Sequence, residues 1–212
     1  MRISEIFYSI QGEGLYAGLP MAFVRFQGCP FRCTWCDSQY TWDFDDGEEL
    51  TLEAVLEQVD VWGCDRVCVT GGEPLAHLRD FKALVRALKE NGHWIEVETA
   101  GGHRLPTDVD IDSWVMDIKC PTSEMEQFNK YDQIAVLRPQ DQIKFVVAGR
   151  EDFDFALSVL SQHNPECPTL FSPVWGAVEL NDLAELIKNE APDSQLSVQV
   201  HKYIWDPERR GV

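Results

Sequence analysis

Seven short runs rich in β-branched and aromatic residues recur along the chain: AFVRF (22–26), RVCVT (66–70), WIEVET (94–99), SWVMDI (113–118), IKFVV (143–147), TLFS (169–172) and LSVQV (196–200). Stretches with helical spacing lie between several of them: TLEAVLEQV (51–59), DFKALVRALKE (80–90), FDFALSVLSQH (153–163) and LNDLAELIKNE (180–190). Thr51 is the expected cap of the first helix, and Asn181 or Asp182 of the last. Strand followed by helix, repeated, places successive strands parallel with helices covering them, so an α/β fold with a mainly parallel sheet is expected. The stretches 101–112 and 119–142 carry no helical pattern, and 212 residues fall short of a complete eightfold barrel. The expected fold is therefore a shortened, open (β/α) barrel with reduced helix content, formed as one domain over residues 1–212.

Charge narrows the partners. Asp and Glu number 36 against 18 Lys and Arg, a formal net charge of −18. Without a basic stripe, gripping a phosphate backbone or an anionic membrane is disfavoured, and most of the excess acid reads as a solvated surface. Residues 1–11 contain no apolar signal core, and no apolar run has membrane-spanning length, so a cytoplasmic location is expected. In a reducing compartment an odd count of seven cysteines argues against a disulfide framework and for metal ligation or redox chemistry.

Three of those cysteines crowd one loop, GCPFRCTWCDS (28–38), directly after the run AFVRF. Cys29, Cys33 and Cys36 have the spacing C-x3-C-x2-C. Three thiolates hold three irons of a [4Fe-4S] cube and leave the fourth iron open as a binding site. Zinc is the inorganic rival, but a structural zinc site closes with four ligands, and His77, His93 or Asp37 would have to supply the fourth at no familiar spacing. Three unreactive buried thiols are the remaining alternative. Cys64, Cys68, Cys120 and Cys167 form no second dense run and read as small hydrophobes.

The cysteine spacing, with aromatic Trp35 just before the last thiol, resembles the signature of the radical S-adenosylmethionine superfamily. That resemblance implies a barrel of the radical S-adenosylmethionine type, in which the open iron chelates S-adenosylmethionine and Trp35 lies near its adenine. TGGEP (70–74) follows an apolar strand, where paired glycines let backbone approach a ligand and Glu73 can accept from an ammonium group; a plain turn before the next helix reads equally well. SIQGEG (9–14), FVRFQGC (23–29), WCDS (35–38), TGGEP and QVHK (199–202) together resemble the 7-carboxy-7-deazaguanine synthase family, in order and over nearly the whole chain. The resemblance implies a lyase of queuosine and 7-deazapurine biosynthesis that contracts 6-carboxy-5,6,7,8-tetrahydropterin to 7-carboxy-7-deazaguanine with loss of ammonia. It also implies magnesium, a flavodoxin- or ferredoxin-type electron donor and a homodimer.

Site residues follow from that resemblance together with side-chain chemistry. Gly72, Glu73, Asp117, Ile118, Lys119 and Ser172, Pro173, Val174 and Trp175 would line the S-adenosylmethionine pocket, although the family often reads Ser-Pro-Lys where this chain has Asp117, Ile118 and Lys119. Gln11 and Glu13 suit the amino-pyrimidine edge of a pterin, with backbone contacts from Ile10 and Gly12; a polar turn is the plainer reading. Arg25 lies between Val24 and Phe26, where a buried charge needs an anion, either the substrate carboxylate or an acid of the chain such as Glu13. Thr70 can donate to the substrate ring, Ser38 would contact magnesium, and His201 matches the family's substrate-side histidine. The chain runs past Pro207, where some members end with a carboxylate on the substrate, so Pro207 or Val212 would approach it. Two rivals remain: a glycyl-radical activase, sharing the cysteines but not the small-molecule pocket, and a non-catalytic zinc module.

Overall fold

The computed structural model describes residues 1–212. In chain order it comprises β1 (Arg2–Ile10), β2 (Pro20–Phe26), β3 (Glu48–Glu49), α1 (Leu52–Asp60), β4 (Arg66–Gly71), α2 (Leu78–Glu90), β5 (Trp94–Thr99), β6 (Ser113–Asp117), β7 (Gln142–Val147), α3 (Arg150–His163), β8 (Thr169–Pro173), α4 (Leu180–Glu190), β9 (Gln195–Leu196) and α5 (His201–Ile204). All nine strands join one sheet in the order β3-β1-β2-β4-β5-β6-β7-β8-β9. β1 runs antiparallel to β2 and β3; from β2 to β9 every pair is parallel. The sheet ends on the two-residue strands β3 and β9, which do not pair with each other. It is an open barrel. The segments between β5 and β6 and between β6 and β7 contain no α-helix, as their sequences predict.

Alternation along the strands sorts the two faces. Ala22, Val24, Phe26, Val67, Val69, Ile95, Val97, Trp114, Met116, Ile143, Phe145, Val147 and Phe171 point outward into one hydrophobic core. There they meet Val55 and Val59 of α1, Phe81, Leu84, Val85 and Leu88 of α2, Phe153, Ala156 and Val159 of α3, and Leu183 and Ile187 of α4. The residues between them, Arg25, Cys68, Thr70, Glu96, Glu98, Asp117, Gln142, Lys144 and Ser172, belong to the concave face and stay in step across the sheet, Arg25 opposite Thr70 and Asp117 opposite Lys144. A one-residue slip of β2, β5, β6 or β7 would drive a charge into the core, so their register is strongly fixed.

Three expectations are corrected. Of LSVQV only Leu196 lies in a strand, with Gln195 before it, because Ser197 makes its last bond to Phe171 and Val200 then donates to Gly12 O at 2.8 Å, turning the segment over the barrel mouth. His201 therefore opens a short helix instead of following a strand. The last long helix starts at Leu180 after Glu179, so Asn181 and Asp182 lie in its first turn and cap nothing, whereas Thr51 accepts from Ala54 N at 3.2 Å as expected. β1 carries no strand signal strong enough to stand out, since its half-exposed sequence RISEIFYSI mixes charge with apolar residues.

Candidate active site

The concave face encloses a chamber of about 670 Å³, lined from the ends of β2, β4, β5, β6, β7 and β8 and roofed by the C-terminal segment. In parallel α/β sheets ligands bind at these strand ends, where backbone groups are released from the ladder.

At one end lie Cys29, Cys33, Cys36 and Trp35. Their loop leaves β2 and is pinned at both shoulders: Gly28 N donates to Thr41 O at 2.8 Å, and the Gln27 amide donates to Tyr40 O and Asp43 O. Gly72 packs against it so closely that a Cβ there would stand 2.4 Å from Gly28 O and 2.8 Å from the Cys29 Cβ. Only glycine lets strand β4 approach the thiols in this way. All three thiols are free, and burial raises each of them, Cys29 to about 12, so an incoming metal must displace their protons.

Trp35 is fixed from behind: its indole donates to Thr122 Oγ1 at 3.3 Å, and Thr122 bonds the buried Asp152 of α3. Lys119 sits 5.5 Å from the Trp35 ring and 2.9 Å from Asp117 Oδ2, while Asp117 Oδ1 is buried with no partner. Burial works against the Lys119 charge, but Asp117 and Cys33 push its pKa up overall. Ser172, Pro173, Val174 and Trp175 close this side.

A second part of the wall is a corner of charges. Arg25 Nε donates to Glu5 Oε1 at 2.8 Å, a pairing set by the β1 and β2 register, and Tyr40 OH donates to the same oxygen at 2.8 Å. Glu5, not Glu13, is thus the acid that holds Arg25. Glu13 accepts from Lys144 Nζ at 2.7 Å and from Gln199 at 2.8 Å. Burial alone would raise Glu13, but Lys144 outweighs it and holds the carboxyl at about 2. Lys144 also stands 3.9 Å from Asp117, so it faces two carboxylates. Gln199 and Lys202 reach Asp37 at 3.1 and 2.8 Å, and Ser38 donates to Asp37 at 3.1 Å. Thr70 donates to Glu98 at 3.0 Å, and His201, whose pKa burial lowers, completes the wall.

Five expected residues do not line the chamber. Glu73 is wholly buried, its carboxylate accepting from Leu75 N, Ala100 N and Thr99, so it shapes the wall instead of offering a free acceptor. Ile118 belongs to the helix-side core. Gln11 turns inward, donating to Glu96 and Glu98 beneath the chamber, where burial and Glu98 raise Glu96 to about 8. Ile10 ends β1, and Gly12 leaves room for His201, whose Nδ1 lies 1.9 Å from where a Cβ would be. Sequence reasoning passed over Lys144, Glu5, Asp37 as a wall residue, Glu98 and Lys202. Lys144 carried the same signal as Arg25, a lone cation inside an apolar strand, IKFVV.

The donor set fits a cluster and not a closed zinc site. His77 bonds Gln27 O at 2.6 Å, His93 bonds Asp60 at 3.1 Å, and both Asp37 oxygens are engaged, so each of the three expected fourth ligands is held by other partners. Cys68 also departs from a plain core role, lying beside Gln11 Nε2 at 3.6 Å and next to Glu96 and Glu98. No helix is long and apolar enough to cross a membrane.

Comparison with known proteins agrees with this geometry. Residues 23–115 match the model of the Radical SAM superfamily. The 7-carboxy-7-deazaguanine synthase of Koribacter versatilis is 34% identical over 100% of both chains, and that of Thermoplasma acidophilum 37% over 97% of both. The crystal structure of QueE from Escherichia coli superposes with a TM-score of 0.76 at 25% identity, covering 94% of each chain. The open barrel is of the radical S-adenosylmethionine type.

Proposed function

The chain belongs to the 7-carboxy-7-deazaguanine synthase family, and on that premise we propose that its chamber converts 6-carboxy-5,6,7,8-tetrahydropterin to 7-carboxy-7-deazaguanine with loss of ammonia. The observation that carries this reading is the meeting, in one cavity, of three free thiols and the charged corner of Arg25, Glu13 and Lys144. Membership of the superfamily implies a [4Fe-4S] cluster and S-adenosylmethionine. When bound, they supply the radical that removes hydrogen from the substrate.

The protein's own work is holding and orientation. Cys29, Cys33 and Cys36 hold the cluster. Trp35, the backbone at Gly72, Asp117, Lys119 and residues 172–175 hold the cofactor; the partnerless Asp117 oxygen suits an ammonium group. Glu73 and Ile118 position this wall from behind. Arg25 binds the substrate carboxylate: its Nε and Nη1 bond Glu5 and Gly71 O, and Nη2 donates to no protein acceptor. Glu13 accepts from the amino-pyrimidine edge, and Lys144 keeps it ionised. Thr70, His201 and Pro207 close the pocket, with Ile10, Gln11 and Gly12 supporting it. Ser38, fixed by Asp37, takes magnesium with water and substrate oxygens. Reduction comes from a flavodoxin- or ferredoxin-type donor, and the whole chain works as one domain within a homodimer.

Iron content decides between a cluster and zinc. After anaerobic reconstitution the wild type is expected to be brown and to bind about four irons per chain. Cys33→Ala is expected to lose most of that iron and to form no product. A wild type that retains zinc, or a Cys33→Ala variant with full iron and turnover, would contradict the assignment.

A further inference from the structure

The C-terminal segment does more than end the chain. Pro207, Glu208, Arg209, Arg210, Gly211 and Val212 all line the chamber. Asp206 turns the segment, accepting from Glu208 N at 2.9 Å through its side chain and from Arg209 N at 2.9 Å through its carbonyl. The turn lays the Arg210 guanidinium on the Tyr40 ring at 3.7 Å from its centroid. It also brings Arg210 Nε to 4.0 Å from Glu5 Oε2, while Glu5 Oε1 holds both Arg25 and Tyr40.

Two arginines therefore face one carboxylate. The other acids near Arg25 are already engaged, Asp37 with Lys202 and Glu98 with Thr70 and Gln11. Thr70 and Gln11 are neutral, so Glu98 keeps its charge, and what marks the corner is its geometry: two guanidiniums share Glu5 with Arg25 Nη2 unpaired, beside Phe7 of the chamber wall, which stacks on Phe23 at 4.8 Å. A small carboxylate with a flat ring attached is the ligand that such a corner takes: the rings supply a dry floor, and the arginines supply fork-shaped donors.

We propose that Arg210 is a second cation of the substrate-carboxylate site, closing it from the C-terminal side and making the chamber selective for a carboxylated ligand. The proposal rests on the function proposed above and adds to it a residue outside the expected set. Tyr40 serves as the platform that fixes Arg210, and Glu5 as the acid shared between both arginines. When the substrate carboxylate binds the free Nη2 of Arg25, Arg210 approaches the same anion or takes over Glu5. Either way the added charge is matched. A ligand without the carboxylate gains nothing from Arg210.

Binding to the reconstituted holoprotein, measured anaerobically by equilibrium dialysis, tests this with two probes, 6-carboxy-5,6,7,8-tetrahydropterin and the tetrahydropterin lacking the carboxylate. Wild type is expected to prefer the carboxylated probe. Arg210→Ala, a half-exposed position where truncation does not threaten folding, is expected to weaken that probe about tenfold and leave the other within twofold. S-adenosylmethionine binding and the iron-sulfur absorbance should be unchanged. A wild-type preference retained in full by Arg210→Ala, or an equal loss for both probes, would overturn the role of Arg210 alone. A wild type that binds both probes alike would overturn the substrate reading, and the proposal with it.

Discussion

Lys144→Met is expected to lower folding stability by about 3 kcal/mol, because it leaves the buried Glu13 carboxylate without its cation, while Asp117 keeps Lys119. The variant also has a pH signature. In the wild type Glu13 is held at about 2, below its ordinary 4.5, so the stability from this pair is complete above 4.5 and is lost as the pH falls toward 2. Removing Lys144 leaves burial, which raises the carboxyl, opposed mainly by the Gln199 hydrogen bond. Substrate binding by the variant should then weaken as pH drops from 7 to 5, a range over which the wild type is flat in this respect. Urea unfolding at pH 7 gives the first quantity, and substrate affinity across that range gives the second. Wild-type stability with an unshifted pH profile would show that Lys144 does not control Glu13.

The second large effect belongs to Arg25. Arg25→Met is expected to weaken substrate binding by about 3 kcal/mol, roughly hundredfold, since it removes the fork that faces the carboxylate and leaves Glu5 to repel it. Iron content and S-adenosylmethionine affinity should not change, because the hydrogen bonds of Arg25 go to Glu5 and Gly71 and none to the thiol loop. Isothermal titration of the reconstituted protein separates the two. Unchanged substrate affinity would mean that the carboxylate is held elsewhere; loss of iron would mean that Arg25 supports the fold instead of the ligand.

How much of this was legible in the sequence differs between the two faces of the sheet. The outer face was readable because Val24, Val69, Val97 and Phe145 alternate with other residues and the helices carry matching apolar stripes. The thiol loop was readable because three cysteines at fixed spacing lie within one connection. The inner face was only partly readable. Arg25 was found because a charge inside AFVRF demands an anion, and the same argument applied to Lys144 would have found it. Pairings were hidden because they depend on register and loop course. Glu5 meets Arg25 through antiparallel β1, whose sequence has no clean alternation, and Glu13 meets Lys144 across 131 positions of chain.

Gln11 and Glu73 show the opposite limit. Each is a polar residue in a motif that resembles a ligand-binding segment, and each turns its side chain inward, Gln11 to the acid pair beneath the chamber and Glu73 to the backbone of the next strand end. A motif specifies that a residue matters. Whether its side chain meets a ligand or the wall behind it depends on the direction of one rotamer, which spacing does not encode. The cap at Thr51 was legible because its bond is local, three residues away, while the shortened β9 was not, because Val200 is drawn off the sheet by Gly12, far away in sequence.

The proposed function requires one chamber to join the radical chemistry to a carboxylated pterin. Anaerobic turnover tests it most directly: reconstituted wild-type protein with 6-carboxy-5,6,7,8-tetrahydropterin, S-adenosylmethionine, magnesium and a reductant, with products read by mass. The predicted result is 7-carboxy-7-deazaguanine together with released ammonia. Cleavage of S-adenosylmethionine to 5′-deoxyadenosine with the pterin recovered intact would contradict it.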